Sequence, residues 1–235
     1  MRFTTNEKLI ARQSKIARYA TFAGLAVLLA SLVTSFAGNF PILVAYALLI
    51  VGFALAYVGA ILAQKWVKEP RADNALARAL KGFDNKFHLY NYLLPVNHVL
   101  LAPTGLIVFK VKSNDGKITV QGDRWLSPFR WTRMFGGMGQ EPLGNPAADV
   151  RGDIEKMKKL LADKLEGAGV VPVDGYVVFT DPKAQLAIQD AGVPVVRVED
   201  LKDTLRKSKR GPVLAPKLLE DLARVLDAEA NAKAT

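Results

Sequence analysis

From Tyr19 to Gln64 the chain carries no charged residue, and after Pro70 it breaks into short apolar runs punctuated by Pro, Gly, Asn and Asp. The uncharged stretch divides into "YATFAGLAVLLASLVTSF" (19–36) and "PILVAYALLIVGFALAYVGAILA" (41–63), around "AGNF". Each run approaches or exceeds the roughly 20 apolar residues that a membrane-crossing helix needs. The short uncharged connection before Pro41 predicts a helical hairpin over 19–64. Downstream, "RADNALARALKGF" repeats Leu76, Leu80 and Phe83 at helical spacing, and "KFHLYNYLLP" reads as a strand stopped by Pro95. "VNHVLLAP" and "GLIVFKVKS" are strands joined by the turn Pro103-Thr104-Gly105, and "KITVQGDRW" adds another after Asn114-Asp115-Gly116. Residues 127–147, "SPFRWTRMFGGMGQEPLGNPA", have no clean period and predict a long loop.

The helix "ADVRGDIEKMKKLLADKLEG" follows, with Val150, Ile154, Met157, Leu160, Leu161 and Leu165 on one face. "DGYVVFT" is a buried strand, "KAQLAIQDAG" is expected as a short helix, "VPVVRV" as a strand, and "VEDLKDTLRK" and "PKLLEDLARVLDAEA" as helices. Hairpin strands followed by helix and strand alternation predict an α/β domain with a mixed central sheet flanked by helices. The expected divisions are a basic N-terminus (1–18), the apolar hairpin (19–64), a domain over 70–210, and a C-terminal helix and tail (211–235).

Charge sharpens this picture. The formal net charge is +10 in 235 residues. Residues 1–18 hold five Lys/Arg against Glu7 alone, and Lys65, Lys68 and Arg71 follow the hairpin. By the positive-inside tendency both termini face the cytoplasm, at a cell membrane. A signal peptide ending after Ala37 is the competing reading, but the second apolar run and its basic exit flank favour the uncleaved hairpin. Neither run holds an ionisable residue other than tyrosine, which argues for an anchor rather than a channel or proton path. Small residues such as Gly24, Ala30, Gly52, Ala56, Gly59 and Ala60 permit close helix packing. The remainder has 27 Lys/Arg against 21 Asp/Glu, only mildly basic, so charge is a weak argument for nucleic acid. There is no cysteine, and His88 and His98 are the two histidines. Disulfides, thiol chemistry and a His-rich metal cluster are excluded.

The segment "VNHVLLAPTGLIVFKVKSNDGKI", with "GNPAADV" and "YVVFTDP…VPVVRVEDLKDTL", resembles the nuclease-related domain (NERD) family over roughly 71–208. That family is a branch of the restriction-endonuclease-like PD-(D/E)xK fold. The resemblance implies an Asp-His strand, a Pro-x-Gly turn, a Glu-x-Lys strand and an Asn-Pro-x-x-Gln helix start. It further implies a site in which two carboxylates hold Mg²⁺ while the lysine orients the attacking water or the phosphate. This chain departs from that pattern. Asn97 stands at the aspartate position, Lys110 at the glutamate position, Asn74 near a family glutamate, and Asp149 at the glutamine; Lys112 retains the lysine. Lys110 puts a positive charge where the metal belongs. The expectation is a degenerate, non-catalytic site with no metal and no cofactor.

Lys110, Lys112, Asn97 and His98 remain candidates for a phosphate or other anionic ligand, because charges that repel a cation attract an anion. The alternative is that both lysines are solvated residues of a strand face and that His98 packs. Trp125, Phe129, Trp131 and Arg133 form a candidate interface, either for single-stranded nucleic acid or for the membrane surface. Three roles follow. The first is a membrane-anchored binding or scaffolding domain at the cytoplasmic face. The second is an active Mg-dependent nuclease using relocated acids among Asp73, Asp84, Asp115, Asp123 and Asp149. The third is an accessory subunit of a membrane complex. The expected partners are the lipid bilayer, nucleic acid and other membrane-complex subunits.

Overall fold

A computed structural model of the chain describes residues 1–37, 40–127, 142–208 and 211–234. They fall into two compact units, one spanning Glu7–Arg71 and the other joining Met1–Asn6 to most of the chain beyond Ala72.

The first unit is an antiparallel pair, α1 (Glu7–Phe36) and α2 (Ile42–Trp66). At 1.5 Å per residue each exceeds the roughly 30 Å of a bilayer's hydrocarbon core. Both are long and apolar enough to cross a membrane. The two helices meet along a seam that repeats every seventh residue: Ile10, Ala17, Gly24 and Ser31 on α1, Ala45, Gly52, Gly59 and Trp66 on α2. A strict heptad keeps one stripe facing the partner, and small side chains let the backbones approach. At Gly24 a Cβ would collide with the backbone of Ala56. The seam is tied at both ends, where the Ser14 hydroxyl donates to the Trp66 carbonyl and the Ser31 hydroxyl to the Ala45 carbonyl, each at 2.8 Å. The outward faces, including Phe22, Leu29, Ile50 and Phe53, are exposed. The helix α1 begins at Glu7 rather than Tyr19, because nothing in the charged stretch breaks it: Lys8 to Arg18 continue the same helix.

In the second unit, a six-stranded mixed sheet runs in the order β1-β2-β3-β4-β7-β9. Its strands are β1 (Arg2–Thr5), β2 (His88–Asn91), β3 (His98–Ala102), β4 (Gly105–Lys112), β7 (Val173–Phe179) and β9 (Val195–Arg197). Because β3 and β4 are covered on both faces, they read as nearly continuous apolar runs. One face packs Val99, Leu101, Leu106 and Val108 against Met157 and Leu161 of α4 (Pro146–Lys164) and Leu222 and Leu226 of α6 (Pro216–Ala234). The other face packs Leu100, Ile107 and Phe109 against Leu76 and Leu80 of the α3 (Ala72–Ala79) region and Leu201 and Leu205 of α5 (Leu201–Lys207). A second, three-stranded sheet, β6-β5-β8, comprises β5 (Gly116–Gln121), β6 (Arg124–Leu126) and β8 (Ala184–Gln189). Its Ile118 and Val120 close a third cluster with Val150, Val177 and Phe179. Helix α4 crosses β7 at Gly175, where a Cβ would strike Val150 and lie 3.0 Å from Ile154. That close crossing fixes the start of α4 over the sheet.

Two expectations are corrected. "KAQLAIQDAG" is not a helix: Ala184–Gln189 is strand β8, drawn out by six-residue parallel pairing with β5. The first residues are not merely a basic lead-in, since Arg2–Thr5 pair in parallel with His88–Asn91 as the edge strand of the main sheet. The expected C-terminal helix is part of the core, with Leu222 and Leu226 fully buried. Most of the expected 127–147 loop lies outside the described residues.

Candidate functional site

Side chains alternate along a strand, so Leu106, Val108, Lys110 and Lys112 of β4 share one face. The first two are core residues and the last two carry the row to its end. Neither lysine is a solvated strand-face residue. Lys112 is 3% exposed, and its Nζ donates to the Pro142 carbonyl at 3.3 Å. Lys110 is half-buried, and its Nζ sits 3.0 Å from Asp149 Oδ2.

The position of Asp149 follows from local sequence. In "GNPAAD", Asn145 caps α4 by accepting from the Ala148 N–H at 3.0 Å, and Pro146 takes the first helical position. Asp149 then falls in the first turn, where the helix dipole favours an anion. It is presented toward β4 with an internal ammonium as its partner. Asn97 precedes β3, in the turn that follows β2; extrapolating the β3–β4 register two residues past the Val99–Val108 pair sets it level with Lys110. Asn97 is exposed there, and its carbonyl accepts from the Tyr92 N–H.

The other predicted residues are placed differently. His98 is buried at 3% exposure, its Nδ1 2.9 Å from Asn91 Oδ1 and its ring edge-on to Tyr92 at 4.8 Å. It is a packed and bonded core histidine on the row alternate to Val99, not a ligand beside the lysines. Asn74 is half-buried on α3, next to the buried Asp73. Trp125 lies on β6, half-buried and stacked on Phe179 at 6.4 Å, so it serves the third core cluster rather than an open surface. Phe129, Trp131 and Arg133 lie outside the described residues.

Three of the five acids proposed as relocated metal ligands are engaged otherwise. Asp149 pairs with Lys110, Asp123 takes both guanidinium nitrogens of Arg151 at 3.0 and 2.9 Å, and Asp84 accepts from the Lys86 N–H. Among the described residues no three His, Asp or Glu side chains gather as a metal-binding group.

Sequence reasoning missed a second polar cluster, between β1, β2 and α6. The Thr4 hydroxyl and His88 Nε2 share a hydrogen bond of 2.7 Å, and the Tyr90 hydroxyl donates to Asp227 Oδ1 at 2.6 Å. His88 Nδ1 is 3.8 Å from the same carboxylate oxygen and makes no hydrogen bond among the described residues. Burial, and secondarily the Arg2 guanidinium, lower the His88 pKa to about 4 against the opposing pull of Asp227. Burial, then the hydrogen bond and charge of Asp227, raise that of Tyr90. The cluster was invisible in the sequence because its members come from the two ends and the middle of the chain.

A mixed sheet flanked by helices, with polar residues at the ends of its central strands meeting the start of a long helix, fits a nuclease-like fold. The family comparison agrees: residues 65–180 match the model of the nuclease-related domain, and this part of the chain is such a domain. No curated protein and no solved structure matches the chain. The matched stretch closes at Thr180, just after β7, while β1, β8, β9, α5 and α6 complete the sheets and layers around it.

Proposed function

We propose that this chain is a membrane-anchored nuclease-related domain that does not cut, and that serves in binding or scaffolding at the cytoplasmic face. The observation that carries this reading is the 3.0 Å ion pair between Lys110 and Asp149. By the family resemblance, Lys110 takes the place of a metal-binding glutamate. A cation already occupies that position, and its counter-ion is Asp149 at the start of α4. A divalent ion entering there would meet an ammonium at short range, which opposes it strongly in a half-buried site. Without the metal, neither activation of water nor stabilisation of the phosphate's developing charge is supplied. The anchor is supported by two helices of sufficient length and apolarity with basic outer flanks.

The test uses the full chain in mild detergent, with fluorescently labelled single- and double-stranded DNA followed by anisotropy with and without Mg²⁺ or Mn²⁺. A signal that never decays, whether or not it first rises, is the expected outcome. Metal-dependent cleavage that disappears in Lys112→Ala would overturn the non-catalytic reading. A salt-sensitive rise without decay would identify nucleic acid as the bound partner, and no rise would turn the search to protein partners in the membrane.

A further inference from the structure

The hairpin unit ends in a concentration of charge that its own structure leaves unmatched. On α1, Lys8, Arg12, Lys15 and Arg18 are all exposed, and none forms an ion pair among the described residues. Their spacing of four, three and three residues sets them along one side of the helix. The seam residues Ile10 and Ala17 lie on the opposite side, so the cations point away from α2. Continuing the stripe past Arg18 leads to Tyr19 and Phe22, both exposed at 66% and 68%. The row therefore passes from ammonium and guanidinium groups to aromatic and then aliphatic surface within two turns.

The other helix brings its cations to the same level. The hydrogen bond from the Ser14 hydroxyl to the Trp66 carbonyl sets the last turn of α2 beside the middle of this basic stretch. There Lys65 lies 5.3 Å above the Trp66 ring, and Lys68 follows, both exposed. Between residues 7 and 68 the acids are limited to Glu7, while Glu69 lies 3.6 Å from Arg71. Basic side chains near the positive end of α1 gain nothing from the helix dipole, so their charge calls for an outside anion.

We propose that these six cations form a collar that selects anionic phospholipid headgroups over zwitterionic ones. The inference rests on the membrane reading above and adds the lipid class. A headgroup phosphate fits because its position is set by the apolar surface next to it. Acyl chains cover Tyr19, Phe22 and the outer faces of the helices, which leaves the phosphates level with Arg18, Lys15 and Lys65. Long Lys and Arg side chains reach that level while their stems stay on apolar surface. Basic residues next to a membrane span attract anionic lipids through such contacts, and the attraction fades within a Debye length.

The test reconstitutes the full chain into phosphatidylcholine vesicles and first asks whether it floats with them after a high-pH wash. Electron paramagnetic resonance then compares spin-labelled phosphatidylglycerol with spin-labelled phosphatidylcholine at the protein surface. The collar predicts a preference for phosphatidylglycerol of about threefold or more, falling toward one in high salt and in the variant R12Q/K15Q/K65Q/K68Q. Equal association of both lipids, or a preference unchanged in a variant that still floats, would overturn the collar while leaving the membrane reading intact. Failure of the native chain to float would overturn both.

Discussion

Reversing the substitutions at the centre of the nuclease-related domain should create a metal site where the native chain has an ion pair. The variant is N97D/K110E. In the native fold Lys110 Nζ lies 3.0 Å from Asp149 Oδ2, and the β3–β4 register, extrapolated past Val99, sets Asn97 level with Lys110. By that extrapolation the double variant gathers three carboxylates at this spot: the two new ones and Asp149. Two unpaired carboxylates about 4 Å apart repel by about 4 kcal/mol at an effective dielectric constant near 20. Asp149 is 44% exposed, and water reduces that figure to about 1–2 kcal/mol. Without metal the variant should therefore melt below the native chain. A divalent cation converts the repulsion into attraction: at a concentration about 100-fold above its Kd it adds about 2.7 kcal/mol of stability. For a domain of this size that is a rise of about 5–10 °C. The assay is thermal unfolding of the full chain in mild detergent, with EDTA, Mg²⁺, Mn²⁺ or Ca²⁺, alongside the native chain and both single variants. The native chain should show no divalent-dependent shift. A folded double variant that is equally indifferent to divalent ions would refute both the assignment of Asn97 and Lys110 to the acidic positions and the convergence argued from register.

Three further outcomes are expected. His88 resists protonation in the folded state down to about pH 4 against an ordinary value of 6.5. The unfolded chain therefore takes up the proton first, and stability should fall as pH drops from 6.5 to 4, by up to about 3 kcal/mol. Unfolding midpoints measured across that window should lose this component in His88→Gln, and an unchanged slope would remove His88 as its source. Deleting residues 1–6 removes β1 with the Thr4–His88 and Thr5–Asn91 side-chain bonds. At about 1 kcal/mol per lost hydrogen bond, local stability should fall by several kcal/mol, and hydrogen exchange should speed up at 88–91 far more than at 98–102. In the hairpin, Gly24→Leu forces a side chain into the Ala56 backbone. Because the chain has no native cysteine, the pair S31C/A45C reports directly on helix contact; its oxidative crosslink should form readily with Gly24 and poorly with Leu.

The class of fold was legible because the strong signals were local ones. The uncharged runs announced α1 and α2, and the apolar strands β3, β4 and β7 announced a sheet covered on both faces. Where pairing rather than pattern decides the structure, the sequence misled. "AQLAIQ" contains two alanines and a leucine, good helix formers, yet six residues of parallel pairing with β5 make it a strand. "RFTT" is too short and too polar to carry any period, and only its partner His88–Asn91 defines it as β1. At the candidate site the residue types were readable and their relationships were not. Lys110 looked like a bare positive charge until the cap at Asn145 showed how Asp149 comes to meet it. His98 looked available until its hydrogen bond to Asn91 placed it in the interior.

The parallel pairing of β1 with β2 has a consequence for biogenesis. The strand precedes the helical hairpin in the chain and its partner follows it, so the sheet can be completed only if both arrive in the same compartment. For a chain whose hairpin crosses a bilayer, this makes topology a condition of folding. A molecule threaded with one span instead of two would strand Arg2–Thr5 on the far side, leaving the β2 edge bare and the Thr4 partner of His88 missing. In a correctly threaded chain Arg2–Thr5 would stay unpaired until both helices were inserted and β2 had emerged. The β1 edge would then close last, and correct insertion would become something the finished fold registers.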